Sequence, residues 1–344
     1  MGLLRRKTMD SQGATTSHEG IKTVRVDNRC DFSSYSDLCV SVVTWNMNGQ
    51  VCYEDLAELV GNSRKSDLLV VGLQEVPRKN ISRLLKAALL DSHMYVRYIY
   101  LQFVIRVFVL VRKWNLLGKA IMQSIHLYVF GTKDSDLFIR ELKRDKRSLG
   151  GFGGLLRRKK GAVGIHLNYK GIPMVFISCH LSAHAHNVEK RNSEFRNVSE
   201  SLFFGKLNPY AKPPQITVWL GDLNYRIQGI DSYPARNLIN NDLQRLLTCN
   251  DQLLQEAGRG QIFEGYSEGT LTFKPTYKYD IGSSNYDTSY KVRVPSWTDR
   301  ILFKTQDSDE IKATLHSYWS MDDIHSSDHK PVKAHICLKL SKPL

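Results

Sequence analysis

The chain has 344 residues, 42% of them hydrophobic and 24% charged, a composition that excludes a wholly disordered or collagen-like protein and suits a soluble globular one. Lys and Arg number 48 against 34 Asp and Glu, a formal net charge of +14. That excess favours a polyanionic partner: nucleic acid, an anionic membrane surface or a phosphorylated small molecule. No apolar run reaches the roughly 20 residues of a spanning helix; the longest, residues 99–111, is interrupted by Gln102 and Arg106, so no transmembrane segment is expected. Residues 1–7 lack the apolar core and cleavage site of a secretory signal, and Arg6 stands where an N-myristoylation motif needs Ser or Thr. The six cysteines are scattered without a CxxC pair, which suits buried free thiols in a reducing, cytoplasmic compartment.

In chain order, residues 1–37 are polar and without periodicity, and are expected to form a flexible extension. Structure is expected from Leu38. Short apolar runs rich in β-branched residues, at 40–44, 68–73, 174–178, 216–220 and 301–303, read as buried strands. Helical spacing links Ile81, Leu84, Leu85, Ala88 and Leu89, and another helix runs from Val188 through Phe195 and Val198 to Leu202. A third apolar set, Leu243, Leu246 and Leu247, precedes Asn250, a candidate cap for the next helix. Residues 104–111 and 125–130 read as paired strands. Sheets covered by helices follow from this pattern, in one domain over 38–344, since neither an internal repeat nor a linker is visible.

Residues 134–160 stand apart, because nine Lys and Arg surround Gly150, Gly151, Gly153 and Gly154. A solvated loop is the plain reading. Interleaved Leu149, Phe152, Leu155 and Leu156 suggest in addition a loop that touches an anionic membrane, where each basic residue is worth about 1 kcal/mol.

The chemistry is concentrated at the ends of the strands. They finish in Trp45-Asn46, Gln74-Glu75, Cys179-His180 and Gly221-Asp222-Leu223-Asn224, with Asp299 at the start of another run and Asp328-His329 near the C-terminus. Amides, carboxylates and imidazoles at the carboxyl ends of rigid strands can converge on one pocket. Glu75 and Asn46 are hard oxygen donors suited to Mg²⁺. His329 could be fixed in one tautomer, and kept cationic, by a carboxylate from Asp299 or Asp328. A zinc site at His180, His184 and His186 is the rival metal reading, though no acidic residue or cysteine lies among them. Neither a GxSxG elbow nor a GxxxxGK loop occurs, which leaves metal-assisted attack of water.

Trp219-Leu220-Gly221-Asp222-Leu223-Asn224-Tyr225-Arg226 and Pro295-Ser296-Trp297-Thr298-Asp299-Arg300-Ile301-Leu302 resemble the two signature motifs of the inositol polyphosphate 5-phosphatases. The likeness extends through Thr44-Trp45-Asn46, Leu73-Gln74-Glu75-Val76, Ser178-Cys179-His180-Leu181, Pro275-Thr276-Tyr277-Lys278-Tyr279-Asp280 and Ser327-Asp328-His329-Lys330-Pro331-Val332. The resemblance implies the α/β (α+β) endonuclease/exonuclease/phosphatase (DNase I-like) fold, a four-layer β-sandwich flanked by helices. It also implies a Mg²⁺ ion held chiefly by Glu75 with Asn46. By the same resemblance Asp222 orients or deprotonates water, Asn224 and His180 hold phosphoryl oxygens, His329 stabilises charge with Asp299 behind it, and Asp328 assists. Tyr277, Lys278, Lys291 and Arg293 are implied to contact a 4-phosphate, with Arg226 also facing substrate.

Two departures touch specificity rather than reaction: Thr298 where the family usually has cysteine, and Lys160-Gly161-Ala162-Val163 in place of Asn-Lys-Gly-Gly. The expected substrates are phosphoinositides carrying 4- and 5-phosphates, such as phosphatidylinositol 4,5-bisphosphate and 3,4,5-trisphosphate, or soluble inositol polyphosphates. The expected place is the cytosolic face of a membrane, in peripheral contact with its anionic surface. A nuclease on the same fold and a non-catalytic membrane adaptor are the alternatives. The 4-phosphate motifs argue against nucleic acid, and the intact catalytic positions against an adaptor.

Overall fold

A computed structural model describes residues 20–27, 37–61, 66–100, 114–149, 160–203, 205, 213–306 and 311–340. In chain order its elements are β1 (Lys22–Val24), β2 (Asp37–Asn46), α1 (Tyr53–Gly61), β3 (Leu68–Gln74), α2 (Ile81–Tyr100), β4 (Trp114–Met122), β5 (Ile125–Thr132), β6 (Ile139–Ser148), β7 (Gly161–Tyr169), β8 (Ile172–His180), α3 (Val188–Ser201), β9 (Ile216–Asp222), α4 (Ser232–Asn240), α5 (Gln252–Gly258), β10 (Ser267–Gly269), β11 (Asp299–Thr305), β12 (Ile311–Ser320) and β13 (Val332–Leu340). One sheet runs β1-β10-β11-β9-β8-β7-β6 and the other β12-β13-β2-β3-β5-β4.

The strands alternate between two apolar environments, and that alternation stacks the layers. On β2, Val40 and Val42 enter the core between the sheets, while Val43 and Trp45 face the opposite way, towards α1 and α2. On β8 and β9, Phe176, Val218 and Leu220 point inward, and Ile177 and Trp219 meet Phe195 and Val198 of α3. Two sheets packed face to face with helices outside are the expected sandwich. Because both faces of these strands are buried, they read in sequence as unbroken apolar runs.

Several expectations change. Residues 22–24, placed in the flexible extension, form β1, which pairs in parallel with β10 (Lys22↔Ser267, Val24↔Gly269). Backbone bonds secure it, with Lys22 N donating to Tyr266 O at 2.9 Å and Thr270 N to Val24 O at 3.1 Å. Three residues carry too little periodicity to be seen in advance. Most of the 134–160 loop that is described is instead β6, antiparallel to β7. It is the outermost strand of its sheet, and charges on an exposed edge are how sheets avoid pairing with other chains. Residues 150–159 lie outside the described residues, as does the expected strand at 104–111. The partners of β5 are β3 and β4. The cap of α5 is Asp251, which accepts from Leu254 N at 3.0 Å, rather than Asn250.

Cys39 and Cys337 are joined in a disulfide, where free thiols were expected, because the antiparallel register of β2 and β13 sets them opposite one another across a sequence separation of 298. Cys179 is a free buried thiol, as expected. Beside the disulfide, burial, and after it the charge of His316, depress the His335 imidazole to about 4. The unfolded chain takes up this proton near pH 6.5, so the stability tied to neutral His335 is full above that pH and is lost as the pH falls towards 4. Urea titrations at pH 7 and pH 4.5 are expected to differ by about 1–3 kcal/mol on this account, and His335→Asn should flatten the slope.

Candidate active site

The carboxyl ends of four strands meet at one edge of the sandwich. β2 and β3 are parallel neighbours with Asn46 opposite Gln74, and β8 and β9 are parallel neighbours with His180 opposite Asp222. Two side-chain bonds tie the sheets together there: Asn46 Nδ2 donates to Asp222 Oδ2 at 2.9 Å, and Gln74 Nε2 to Ser178 Oγ at 3.2 Å. Gly72 permits the approach, since a Cβ on it would lie 2.6 Å from Leu220 Cδ1. At Gly221 (φ +146°) a Cβ would collide with the Cys179 carbonyl oxygen. Glu75 (φ 51°) and Asn224 (φ 59°) both occupy the left-handed region, a strain of about 1–3 kcal/mol each that tends to persist where a side chain must be aimed.

Asp222 is the hub. Its Oδ2 takes the Asn46 amide, lies 3.2 Å from His180 Nε2 and 3.9 Å from His329 Nε2, while Oδ1 accepts from Asn224 N at 3.1 Å. Burial alone would raise its pKa, but the two histidines and Lys160 hold it far below the ordinary carboxylate range. It is therefore ionised throughout the physiological range. Burial and the adjacent Lys160 charge lower the pKa of His180, against the pull of Asp222. For His329 burial also opposes the charge, yet Asp299 and Asp222 raise it to about 10. One carboxylate thus stands between a neutral and a cationic imidazole, two roles set by environment.

Asp299, not Asp328, is the carboxylate on the His329 ring: Nδ1 to Oδ2 is 2.9 Å. Thr276 Oγ1 and Thr298 Oγ1 each donate to the same Asp299 oxygen at 2.8 Å. Thr298, standing where a cysteine is usual, thereby supplies a hydroxyl that holds Asp299 in place. The far side of the His329 ring is covered by Tyr277, with ring centroids 4.4 Å apart, and Trp45 Nε1 donates to the His329 carbonyl at 3.2 Å.

A basic rim surrounds this centre. Arg226 lies over the Tyr277 ring at 4.3 Å and donates to Asn224 Oδ1 at 2.5 Å, which forms a chain from the rim to Asp222. Lys278 Nζ is 3.9 Å from both Asp328 Oδ2 and the buried Asp287, and Arg293 NH1 is 3.4 Å from Asp287 Oδ2. Lys291 is exposed, its ammonium 5.4 Å from the Tyr290 ring. The charges of Arg226, Arg293 and Lys291 all bear on His184, so they share one neighbourhood.

The expected residues are therefore brought together, with Lys291 at the periphery. The zinc trio is not: His184 and His186 stack on one another, exposed, while His180 is buried against Asp222. Two contributors were missed. Lys160, counted with the basic loop, contacts His180 Nε2, and its charge interacts with Asp222 and Glu75. Asp287, which organises the rim, had no motif around it. The signal for Lys160 was its position directly before the apolar β7.

The donors suit a hard divalent cation. The Asp222 carboxylate lies beside Asn46, and Asp299 Oδ1 is buried with no hydrogen-bond partner among the described residues. Asn46 Oδ1 accepts from Asn48 N at 3.0 Å, which leaves it a second lone pair, and the half-buried Glu75 follows Gln74 on the adjacent strand. Oxygen-rich donors of this kind favour hard divalent cations such as Mg²⁺, Ca²⁺ or Mn²⁺ over soft metals.

Residues 43–335 match the Endonuclease/Exonuclease/phosphatase family 2. The chain is 57% identical over 325 residues to type IV inositol polyphosphate 5-phosphatase 11 of Arabidopsis thaliana, covering 94% of this chain and 90% of that protein. It is 32% identical to phosphatidylinositol 4,5-bisphosphate 5-phosphatase A of Homo sapiens, over 88% of this chain but 31% of that longer protein. Among solved structures, the inositol polyphosphate 5-phosphatase domain of SPsynaptojanin, in complex with inositol (1,4)-bisphosphate and a calcium ion, superposes with a TM-score of 0.71 at 27% identity, over 88% of this chain and 86% of that one. Sequence, fold and the assembled strand-end residues agree that the chain belongs to the inositol polyphosphate 5-phosphatases, phosphoric monoester hydrolases of the endonuclease/exonuclease/phosphatase fold.

Proposed function

We propose that the enzyme is Mg²⁺-dependent and removes the 5-phosphate from phosphoinositides that also carry a 4-phosphate, with soluble inositol polyphosphates of the same pattern as further substrates. Its place of action is the cytosolic face of membranes. The observation that carries this reading is the adjoining of two charge systems: the ionised Asp222 between neutral His180 and cationic His329, and beside it the Tyr277, Lys278, Arg226 and Arg293 rim. The first suits hydrolysis. The second suits a neighbouring phosphate, which an arginine can grip through two parallel hydrogen bonds.

In this reading Glu75 and Asn46 hold the cation, which when bound would neutralise phosphoryl charge and polarise the ester. Asp222 takes a hydrogen bond from the attacking water and orients it in line. Asn224 and His180 position phosphoryl oxygens, Lys160 adding positive charge at His180. His329, kept cationic by Asp299, faces the charge that develops as the phosphoryl group transfers. Asp328 holds Lys278 towards the rim, and Lys291 completes the 4-phosphate contacts.

The test is phosphate release from a panel of inositol lipids and soluble inositol phosphates, with Mg²⁺ and with a chelator. Release from 4,5-substituted substrates is expected, with loss on chelation and recovery on Mg²⁺ addition. Equal release from substrates lacking the 4-phosphate, or release that survives chelation, would contradict it.

A further inference from the structure

Tyr290 and Tyr233 are 89% and 83% exposed, and Val292 46%. Val292 is also held at φ 36°. A β-branched residue in the left-handed region is a true outlier, and such strain persists only where surrounding contacts impose it. Here they do. The buried carboxylate of Asp287 accepts from Ser289 N at 3.2 Å and Arg293 N at 3.0 Å, and Val292 N donates to Ser289 O at 2.9 Å. The clasp is pinned to the start of α4, because Ser232 Oγ donates to Arg293 O at 3.2 Å and Arg236 NH2 to Asp287 O at 2.7 Å. Tyr233 follows Ser232. A rigid base thus displays apolar side chains that would gain from leaving water.

We propose that the tip formed by Tyr290, Lys291 and Val292, together with Tyr233 on α4, is the membrane anchor of this enzyme and seats the active-site mouth on an anionic bilayer. The side chains are those of an interfacial contact: tyrosines have an apolar body and a polar end, and lysine adds attraction to anionic headgroups. The segment from Thr288 to Arg293 carries Lys291 and Arg293 and contains no carboxylate, and Arg226 shares its neighbourhood, so the local charge complements an anionic surface. A protein partner fits less well, since lysine is depleted from the cores of protein interfaces. The base of the tip is also the rim of the site: Asp287 contacts both Lys278 and Arg293, and Lys278 faces Asp328, the neighbour of His329. Docking the tip brings the bilayer to the catalytic mouth.

The anchor rests on the phosphoinositide reading, and its test keeps the two apart. The full chain is sedimented with phosphatidylcholine vesicles, with and without phosphatidylserine and free of phosphoinositide, so that substrate recognition plays no part. Tyr290→Ser with Val292→Asn and Tyr233→Ser is expected to lose about tenfold in partitioning to the anionic vesicles. Turnover of a soluble 4,5-substituted inositol phosphate should be unchanged. In a separate variant, Tyr290→Trp, the indole emission is expected to shift to the blue on anionic vesicles and to be quenched by brominated lipid. Undiminished partitioning of the triple variant, or an indole emission that stays unshifted, overturns the anchor and assigns the tip to a protein partner. Failure to release phosphate from either lipid or soluble substrate would overturn the reaction while sedimentation still judges the anchor.

Discussion

Replacing Asp222 by Asn is expected to lower kcat by at least about 10³-fold on a 4,5-bisphosphate substrate. The substitution is close to isosteric but reverses the hydrogen-bond roles at the hub. If the new amide nitrogen takes the Oδ2 position, it confronts the Asn46 amide at 2.9 Å and the histidine nitrogens at 3.2 and 3.9 Å. If it takes the Oδ1 position, it confronts Asn224 N at 3.1 Å. Neither orientation satisfies all the donors, and the negative charge that supports cationic His329 is gone. A stability cost of about 1–3 kcal/mol should accompany the loss of activity. Asp222→Ala leaves the same donors without an acceptor, so it should destabilise as well. Circular dichroism and urea unfolding would establish that the fold persists, and near-normal turnover of the variant would sink the hub assignment.

Arg300→Met is expected to have the largest effect on stability. The guanidinium is wholly buried and gives two parallel bonds to Glu268 (Nε to Oε1 2.7 Å, NH2 to Oε2 2.6 Å), while NH1 bridges both oxygens of Asp251 at 3.0 and 3.1 Å. Burial works against its charge, but the two carboxylates outweigh that and raise its pKa well above the ordinary arginine value. Breaking such a cluster on one side leaves two buried anions without compensation, at about 3–5 kcal/mol. Asp251 also caps α5, and Tyr318 OH donates to Glu268 at 2.8 Å, so the damage spreads from β11 to α5 and β12. Combining Arg300→Met with Glu268→Gln should recover part of the loss, because one of the stranded charges is removed. Urea midpoints of the single and double variants decide it. A double variant less stable than the single one would mean that packing, not charge, is what Arg300 contributes.

The signature around Asp299 and Arg300 shows how chemistry and architecture share one stretch of chain. Adjacent residues point to opposite sides of β11, so Asp299 supports His329 in the site while Arg300 locks the sheet to α5. A sequence reading finds the first because carboxylate and imidazole have evident chemical use. The second stays hidden, since the partners Asp251 and Glu268 are ordinary acidic residues until the fold buries them.

The amino-acid sequence by itself determined the buried strands, the residues at their ends and the family, because apolar runs, strand-terminal polar groups and ordered motifs are local properties of the chain. It misread what depends on distant pairing. The Cys39–Cys337 disulfide, the edge strands β1 and β6, and the place of Lys160 beside His180 all follow from register between segments far apart in sequence. The residue types left Asp299 and Asp328 both open as the partner of His329 and the motif resemblance pointed to Asp299, which the tertiary structure bears out; only the tertiary structure made one histidine neutral and the other cationic. Distance, burial and neighbouring charge decide protonation, and these quantities exist only once the chain has folded.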